Sequence, residues 1–322
     1  MIFLLLFTLV HAAEFNSDLQ KIDREMSGNL GVFAKSLSNH QIINYQGSRP
    51  WYLASTTKIP VAIAVLRQVE AGKLSLSQKI KLRASDFVDG MGLLLTRKPG
   101  EEFTLEFLLR AMLAHSDSTA TDILIRLIGK DELNRDFPGF YELTSLLEVR
   151  YRAYGEISSK ARELTNRDFF SLKTESGRKQ RYRKFLKISG EKKPKVPNLD
   201  TAFERYYATN ANSSSLESFG LLLERLAKGE LLNAYHTRLL LQIIEATATG
   251  GERLKKGIDK SLRFAHKTGT QVRRLCHAGI VFRERAAEGT VIVVCAEKFR
   301  EESEAEKAIA EVAKLLTSRK WF

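Results

Sequence analysis

Cysteine is scarce in this chain: Cys276 and Cys295 are the only two among 322 residues. A dense disulfide framework is therefore excluded. Both lie in β-like runs near the C-terminus, where they either face each other across a hairpin or sit as two buried thiols acting as small hydrophobes. Neither has metal-ligand spacing, and the six histidines show no His-x-x-x-His pairing, so no metal and no other cofactor is expected. A membrane-spanning run is also missing at the N-terminus: Met1 to Val10 is apolar but too short to cross a bilayer. His11-Ala12-Ala13 follows, with small residues where a signal peptidase cuts. Residues 1–13 thus read as a short secretory signal cleaved after Ala12 or Ala13, although the usual basic start is absent. The expectation is an exported protein, periplasmic or extracellular.

The net charge of +13 suggests nucleic acid until its location is examined. Between Lys173 and Lys195 ten Lys or Arg stand against two Glu, which supplies +8 of the total. No zinc-finger, RNA-recognition or helix-turn-helix signature accompanies this run, so a nucleic-acid partner is not expected. In an exported protein, anionic envelope polymers or lipid surfaces are the better match. Gly177, Gly190, Pro194 and Pro197 punctuate the same stretch, and residues 171–200 read as an insertion or mobile excursion.

What is present is enough apolar residue, 43%, for a full core. Leu19, Ile22 and Met26 share one side of an early helix, and strands over Gly31 to Leu37 and Gln41 to Gln46 flank a Ser38-Asn39-His40 turn. Helical stripes then dominate. Ile59, Ala62, Ile63, Leu66 and Val69 form one; Thr104 is an N-cap for Leu105 to Leu113; Ile123 to Ile128 and Leu216 to Leu226 form others. Strand patterns return at Arg263 to Thr270, Leu275 to Phe282 and Thr290 to Ala296, before a final helix through Leu316. Strands at both ends imply an α/β (α+β) fold with one antiparallel sheet built from both termini and flanked by helices. The predicted domains are 14–56 plus 262–322 for the sheet and 57–261 for an inserted all-α block.

Within this frame, Ser55-Thr56-Thr57-Lys58 places a hydroxyl three residues before an amine, hence on one helix face. A partly desolvated Lys is a base able to take a Ser proton, so Ser55 is a candidate nucleophile and Lys58 its activator. Two further stretches carry related chemistry. His115-Ser116-Asp117-Ser118 lies between two helical stripes and offers a second hydroxyl, though Asp117 or Ser118 also suits a helix cap. His266-Lys267-Thr268-Gly269-Thr270 lies on the first returning strand.

In this order, Ser-x-x-Lys, Ser-Asp-x and Lys-Thr-Gly resemble the three motifs of the penicillin-recognising serine hydrolases. The surroundings are similar to class A β-lactamases: Asp117 to Leu124, Gly90-Met91-Gly92-Leu93-Leu94, Leu105 to Leu109, and His277-Ala278-Gly279-Ile280-Val281. The resemblance covers roughly residues 17–320 apart from the basic excursion. It implies hydrolysis of β-lactam amides through an acyl-enzyme on Ser55, or a D,D-peptidase acting on acyl-D-Ala-D-Ala peptides, or a penicillin-binding sensor that deacylates slowly. It implies that Lys58 and Ser116 relay the proton, that Lys267 holds Ser116, and that the N–H groups of Ser55 and Thr270 form the oxyanion hole. Ser118, Thr268, Gly269, Thr270 and Arg273 or Arg274 are the implied substrate contacts, and a monomer is expected. Two departures stand out. Ser118 replaces the usual Asn, and no clean Glu-x-x-x-Asn supplies the deacylation base, for which Glu148 and Glu163 are the candidates.

Overall fold

The computed structural model describes residues 15–322; the signal-peptide reading of residues 1–13 lies outside them. The chain divides into two units, one of residues up to Thr56 with Pro138–Phe140 and Ser214–Phe322, the other of Thr57–Phe137 with Tyr141–Ser213.

The first unit is built on a five-stranded antiparallel sheet. Its strands are β1 (Asn29–Ser36), β2 (Ile42–Tyr45), β7 (Arg263–Gln271), β8 (Arg274–Phe282) and β9 (Thr290–Glu297), in the order β2-β1-β9-β8-β7. The expected sheet from both chain ends is thus present, and β1 pairs along its whole length with β9. Every residue of β8 and β9 is buried, as their β-branched runs require of strands covered on both faces. On one face lie α1 (residues 15–24) and α12 (Glu302–Ser318), where Leu19, Ile309 and Val312 meet Leu30, Val32 and Val294. The other face takes α9 (Leu216–Ala227) and α10 (Ala234–Glu245), which pack on β1, β9 and β7. Short strands β3 (Pro50–Tyr52) and β6 (Ser213–Ser215) and the one-turn helix α11 (Leu254–Gly257) complete the elements here.

The second unit centres on α2 (Lys58–Glu70), whose first nine residues are all buried. Around it stand α3 (Leu105–Ala114), N-capped by Thr104, and α4 (Ser118–Leu133), whose main helical run closes at Gly129, φ +79°, before a last turn resumes. The ribbon of β4 (Lys79–Lys81) and β5 (Glu102–Thr104) departs from the expected all-α block. A second difference is the boundary: α9 and α10 belong with the sheet they cover, so the inserted block ends near Ser213 and not at residue 261.

The basic stretch is helical and packed, not an irregular excursion. It runs from the end of α6 (Asn166–Lys173) through α7 (Arg178–Ser189) to the start of α8 (Leu199–Tyr207), and these helices share a core with α5 (Leu146–Gly155). Tyr154 is the hub, with ring centroids 5.5 Å from Phe169, 4.9 Å from Phe185 and 6.3 Å from Phe203. Tyr182 donates to the Val196 carbonyl at 2.6 Å. Sequence patterning hid this core because α7 has only two fully buried residues, Tyr182 and Phe185, among twelve.

Cys276 and Cys295 occupy directly opposed positions on β8 and β9 and form a disulfide, which decides between the two readings of the sequence. Closing a loop of 19 residues removes chain entropy from the unfolded state worth about 3 kcal/mol. The double variant Cys276→Ala/Cys295→Ala is expected to lose roughly that much, ~2–4 kcal/mol, in equilibrium urea unfolding followed by circular dichroism.

Candidate active site

The nucleophile candidate belongs to the sheet unit. Ala54 holds φ at +48°, a strained value for a residue with a side chain, and Ser55 follows in the short 3-10 helix Ala54–Thr57. Thr56 anchors that turn through its hydroxyl, 2.7 Å from the Leu53 carbonyl. Ser55 remains half-buried and accessible. The turn runs directly into α2 with no intervening loop, so Ser55 and Lys58 keep their i, i+3 relation along continuous helical backbone.

Strand β7 lies against this turn. A Cβ on Gly269 would sit 2.5 Å from the Leu53 oxygen and 2.9 Å from the Ser55 nitrogen, so only glycine permits the approach. Because β7 is an edge strand, alternate N–H groups along it have no strand partner on that side. Lys267 is fully buried on β7 and donates to the Thr268 carbonyl at 3.1 Å. Beyond the glycine, Thr270 is exposed.

The amine belongs to the helical unit. Lys58 is 4% exposed, and its Nζ donates to the Ser116 carbonyl at 2.6 Å and lies 3.1 Å from Ser116 Oγ. Burial pulls its pKa down to about 8, against the opposing charges of Asp117 and Asp122. Ser116 turns toward it with φ of +54°. Asp117 is a helix cap, as its sequence position allowed: Oδ1 accepts from Ala120 N at 2.8 Å, while Oδ2 accepts from Leu94 N at 2.8 Å. Ser118 is buried, its N–H donating to the Met91 carbonyl, and a Cβ on Gly90 would fall 1.9 Å from its hydroxyl. The Gly90-Met91-Gly92 run is therefore a lid of backbone pressed on the second motif.

Asp122, one turn along α4 from Ser118, was missed. Its carboxylate accepts from Leu146 N at 2.7 Å and Leu147 N at 3.0 Å, the first N–H groups of α5. Burial raises its pKa to about 6, with those hydrogen bonds and Lys58 opposing and Asp89 adding to the rise. One turn into α5, Arg150 holds Asp89 with Nε 2.7 and 2.8 Å from the two carboxylate oxygens. The charge that α5 brings to Asp89 is therefore a cation.

Both candidate deacylation bases are placed unfavourably. Glu148 points to Arg152 at 2.8 Å and Arg162 at 2.9 Å; burial pushes its carboxyl up, but the two guanidinium groups outweigh that and hold it below the ordinary value. Glu163 is exposed at the end of the 3-10 helix Ser159–Glu163.

The expected carboxylate-binding arginines need correction too. Val272 and Arg273 form the two-residue turn between β7 and β8, and Arg273 folds back so that its Nε donates to the Phe299 carbonyl at 3.0 Å. Arg274 is buried, its Nε 3.5 Å from Glu297. The guanidinium at Thr270 is instead that of Arg253, from the segment between α10 and α11. Its Nη1 donates to the Gly269 carbonyl at 3.1 Å and its Nη2 to Thr270 Oγ1 at 2.8 Å, while Glu306 and Glu302 hold it from behind at 3.1 and 3.2 Å. Nothing in the sequence pattern distinguished it from neighbouring cations, since its role depends on how a loop folds onto β7. Among the described residues no group of His, Cys, Asp and Glu is arranged to hold a metal ion.

Comparison with known proteins fits this chemistry. The chain is 22% identical over 305 residues to β-lactamase SME-1 of Serratia marcescens, covering 92% of this chain and 86% of that one. It is 22% identical over 273 residues to VEB-1 of Pseudomonas aeruginosa, covering 83% and 76%. Among solved structures, an ancestral class A β-lactamase of Gram-negative bacteria superposes with a TM-score of 0.71 at 20% identity over 95% of this chain and 99% of that one. PBP-A superposes with a TM-score of 0.70 at 19% identity, over 95% and 96%. The model of the beta-lactamase enzyme family matches residues 14–319, nearly the whole chain. The chain belongs to that family, and is a β-lactamase-like serine hydrolase.

Proposed function

We propose that the protein is exported, is acylated on Ser55 by β-lactams or by acyl-D-Ala-D-Ala peptides, and releases the acyl group slowly. The apolar leader of residues 1–13 supports export. In acylation, neutral Lys58 takes the Ser55 hydroxyl proton as Oγ bonds to the substrate carbonyl carbon. The proton passes through Ser116 Oγ to the leaving nitrogen as the C–N bond breaks. The developing oxyanion is met by the N–H groups of Ser55 and Thr270, with the buried Lys267 cation nearby on β7. Thr268, Thr270 and Arg253 then serve the substrate carboxylate, Arg253 by holding Thr270 Oγ1 in place and by its positive charge.

Slow release rests on one observation: the carboxylate expected on or after α5 is engaged. Glu148 is held by two arginines, and Arg150 stands on Asp89 where α5 approaches Asp122. A carboxylate held below its usual pKa is a poor base for water. An acyl-enzyme with penicillin G is known for a mutant of PBP-A, whose fold this chain shares at a TM-score of 0.69. The exposed cations Lys179, Arg183 and Lys187, each one turn further along α7, support an anionic envelope polymer as partner.

Intact-mass spectrometry after mixing with benzylpenicillin is expected to show an adduct that persists for minutes to hours on the wild type and is absent from Ser55→Ala; rapid loss of the adduct with product accumulation would instead make the protein an efficient β-lactamase. Because Lys58 must be neutral to act, acylation should climb as pH rises through its pKa of about 8, by about tenfold between pH 7 and pH 9, and Lys58→Arg should abolish that limb. Gly269→Ala is expected to leave the circular dichroism spectrum intact while slowing acylation by roughly 100-fold, since its Cβ crowds the Ser55 amide.

A further inference from the structure

Behind β7 lie two buried histidines that the acylation chemistry does not use. His277 on β8 is directly opposite Thr268, and His266 precedes Lys267. Their exposures are 0% and 1%, and the rings approach with His277 Nε2 2.9 Å from His266 Nδ1. Hydrogen bonding fixes where their protons are. Leu254 N lies 3.2 Å from His277 Nδ1, and a backbone N–H can only donate, so Nδ1 carries a lone pair. The proton of neutral His277 is therefore on Nε2 and is donated to His266 Nδ1. That leaves the proton of His266 on its own Nε2, a buried atom with no hydrogen-bond partner among the described residues. A buried orphan donor calls for a reason. Here it is the far end of a one-way chain whose near end is Leu254.

Leu254 is the residue after Arg253. Besides the two bonds of the Arg253 side chain, the segment that carries it is fastened to β7 and β8 by three more: Thr247 Oγ1 to the His266 carbonyl at 2.7 Å, Thr249 Oγ1 with Thr268 Oγ1 at 2.6 Å, and Leu254 N to His277. A Cβ on Gly250 would meet Thr268 Cγ2 at 2.6 Å and His277 Cε1 at 2.9 Å, so the segment lies flush on both side chains. On its other side the Arg253 guanidinium is held by Glu302 and Glu306 of α12. Of the three segment bonds, the one from Leu254 lies next to Arg253 in the chain and is the one that sets its backbone on β8.

We propose that His277, oriented by His266, is a positioning residue that seats Leu254 and thereby keeps Arg253 on Thr270 for the substrate carboxylate. This rests on the acylation reading above for the use made of Arg253. The pair must stay neutral for it, because a doubly protonated His277 has no acceptor for Leu254. The charged groups facing the pair are all cations: Arg253 and Lys255 from the segment and Lys267 from β7, while Glu245 of α10 is engaged by Arg263. Burial first, then these cations, hold His266 down at about 3 and His277 well below its ordinary value.

The test compares the wild type with His277→Phe, which removes the acceptor, and His277→Asn, whose Oδ1 replaces Nδ1. Acylation is followed with benzylpenicillin and with its methyl ester, which lacks the carboxylate. His277→Phe is expected to raise the half-saturating concentration of the acid about tenfold, leaving its limiting rate and both constants of the ester within twofold, and His277→Asn to restore most of the loss. Equal effects on acid and ester, or no rescue by Asn, would overturn the proposal. Nitrogen-15 NMR supplies a readout that needs neither turnover nor a variant: both histidines should appear as neutral Nε2–H tautomers at pH 6, and a His277 Nδ1–H signal refutes the seat. Failure of the wild type to form any adduct would count against the acylation reading alone. Exchange of the Arg253 Nη–H groups bonded to Gly269 and Thr270, slow in the wild type and fast in His277→Phe, then decides the positioning role, and unchanged exchange would sink it.

Discussion

The helical unit is arranged about one buried cation. Taking an ammonium out of water costs several kcal/mol unless polar groups replace its hydration. At Lys58 the replacement is the Ser116 carbonyl and hydroxyl, with Asp117 and Asp122 supplying opposite charge. Each of those carboxylates has a second task. Asp117 closes the N-terminus of α4 and holds the backbone at Leu94; Asp122 receives the first N–H groups of α5. Loss of the Lys58 charge would leave both without the cation that offsets their burial. Such a lysine sits between two demands. It must be desolvated enough to lose its proton near neutral pH, yet accompanied enough to be tolerated when charged.

The sheet unit meets a different constraint, close approach of backbone to backbone. Ser55 stands on a turn entered through a strained Ala54, and β7 reaches its amide only because Gly269 has no side chain. Strain of this kind persists where surroundings over-determine the conformation. The fully buried β8 and β9, joined by the Cys276–Cys295 disulfide, provide that rigidity one and two strands away.

Much of this was legible in sequence because it is carried by local pattern. The strands at both chain ends, the Thr104 cap and the stripes of α2 and α9 follow from periodicity and capping chemistry. The unread features are those in which a side chain reaches a partner distant in sequence. Glu148 looked free until Arg162, fourteen residues on, was found on it. Arg273 and Arg274 stood nearest the Lys-Thr-Gly motif, but a two-residue turn directs them to the end of β9 and the chain just after it, and the guanidinium at Thr270 is that of Arg253 from a loop. Charge density concealed the core of α5 to α8, since a helix anchored by two aromatics can carry any polar residues on its remaining faces.

The same logic bears on acyl release. Activation of water needs a carboxylate that is near the ester and not already neutralised. Around α5 this protein has carboxylates in number, but Asp89 and Glu148 each face an arginine, and Asp122 receives two N–H groups. Removing Arg150 alone does not create a base, because Asp89 would be left partly buried beside Asp122, two like charges of which one must take up a proton. Faster hydrolysis therefore requires a change of sign at Arg150 together with neutralisation of Asp89. In the proposed slow release, that coupling places the cause in the whole charge arrangement about α5, which no single substitution there undoes.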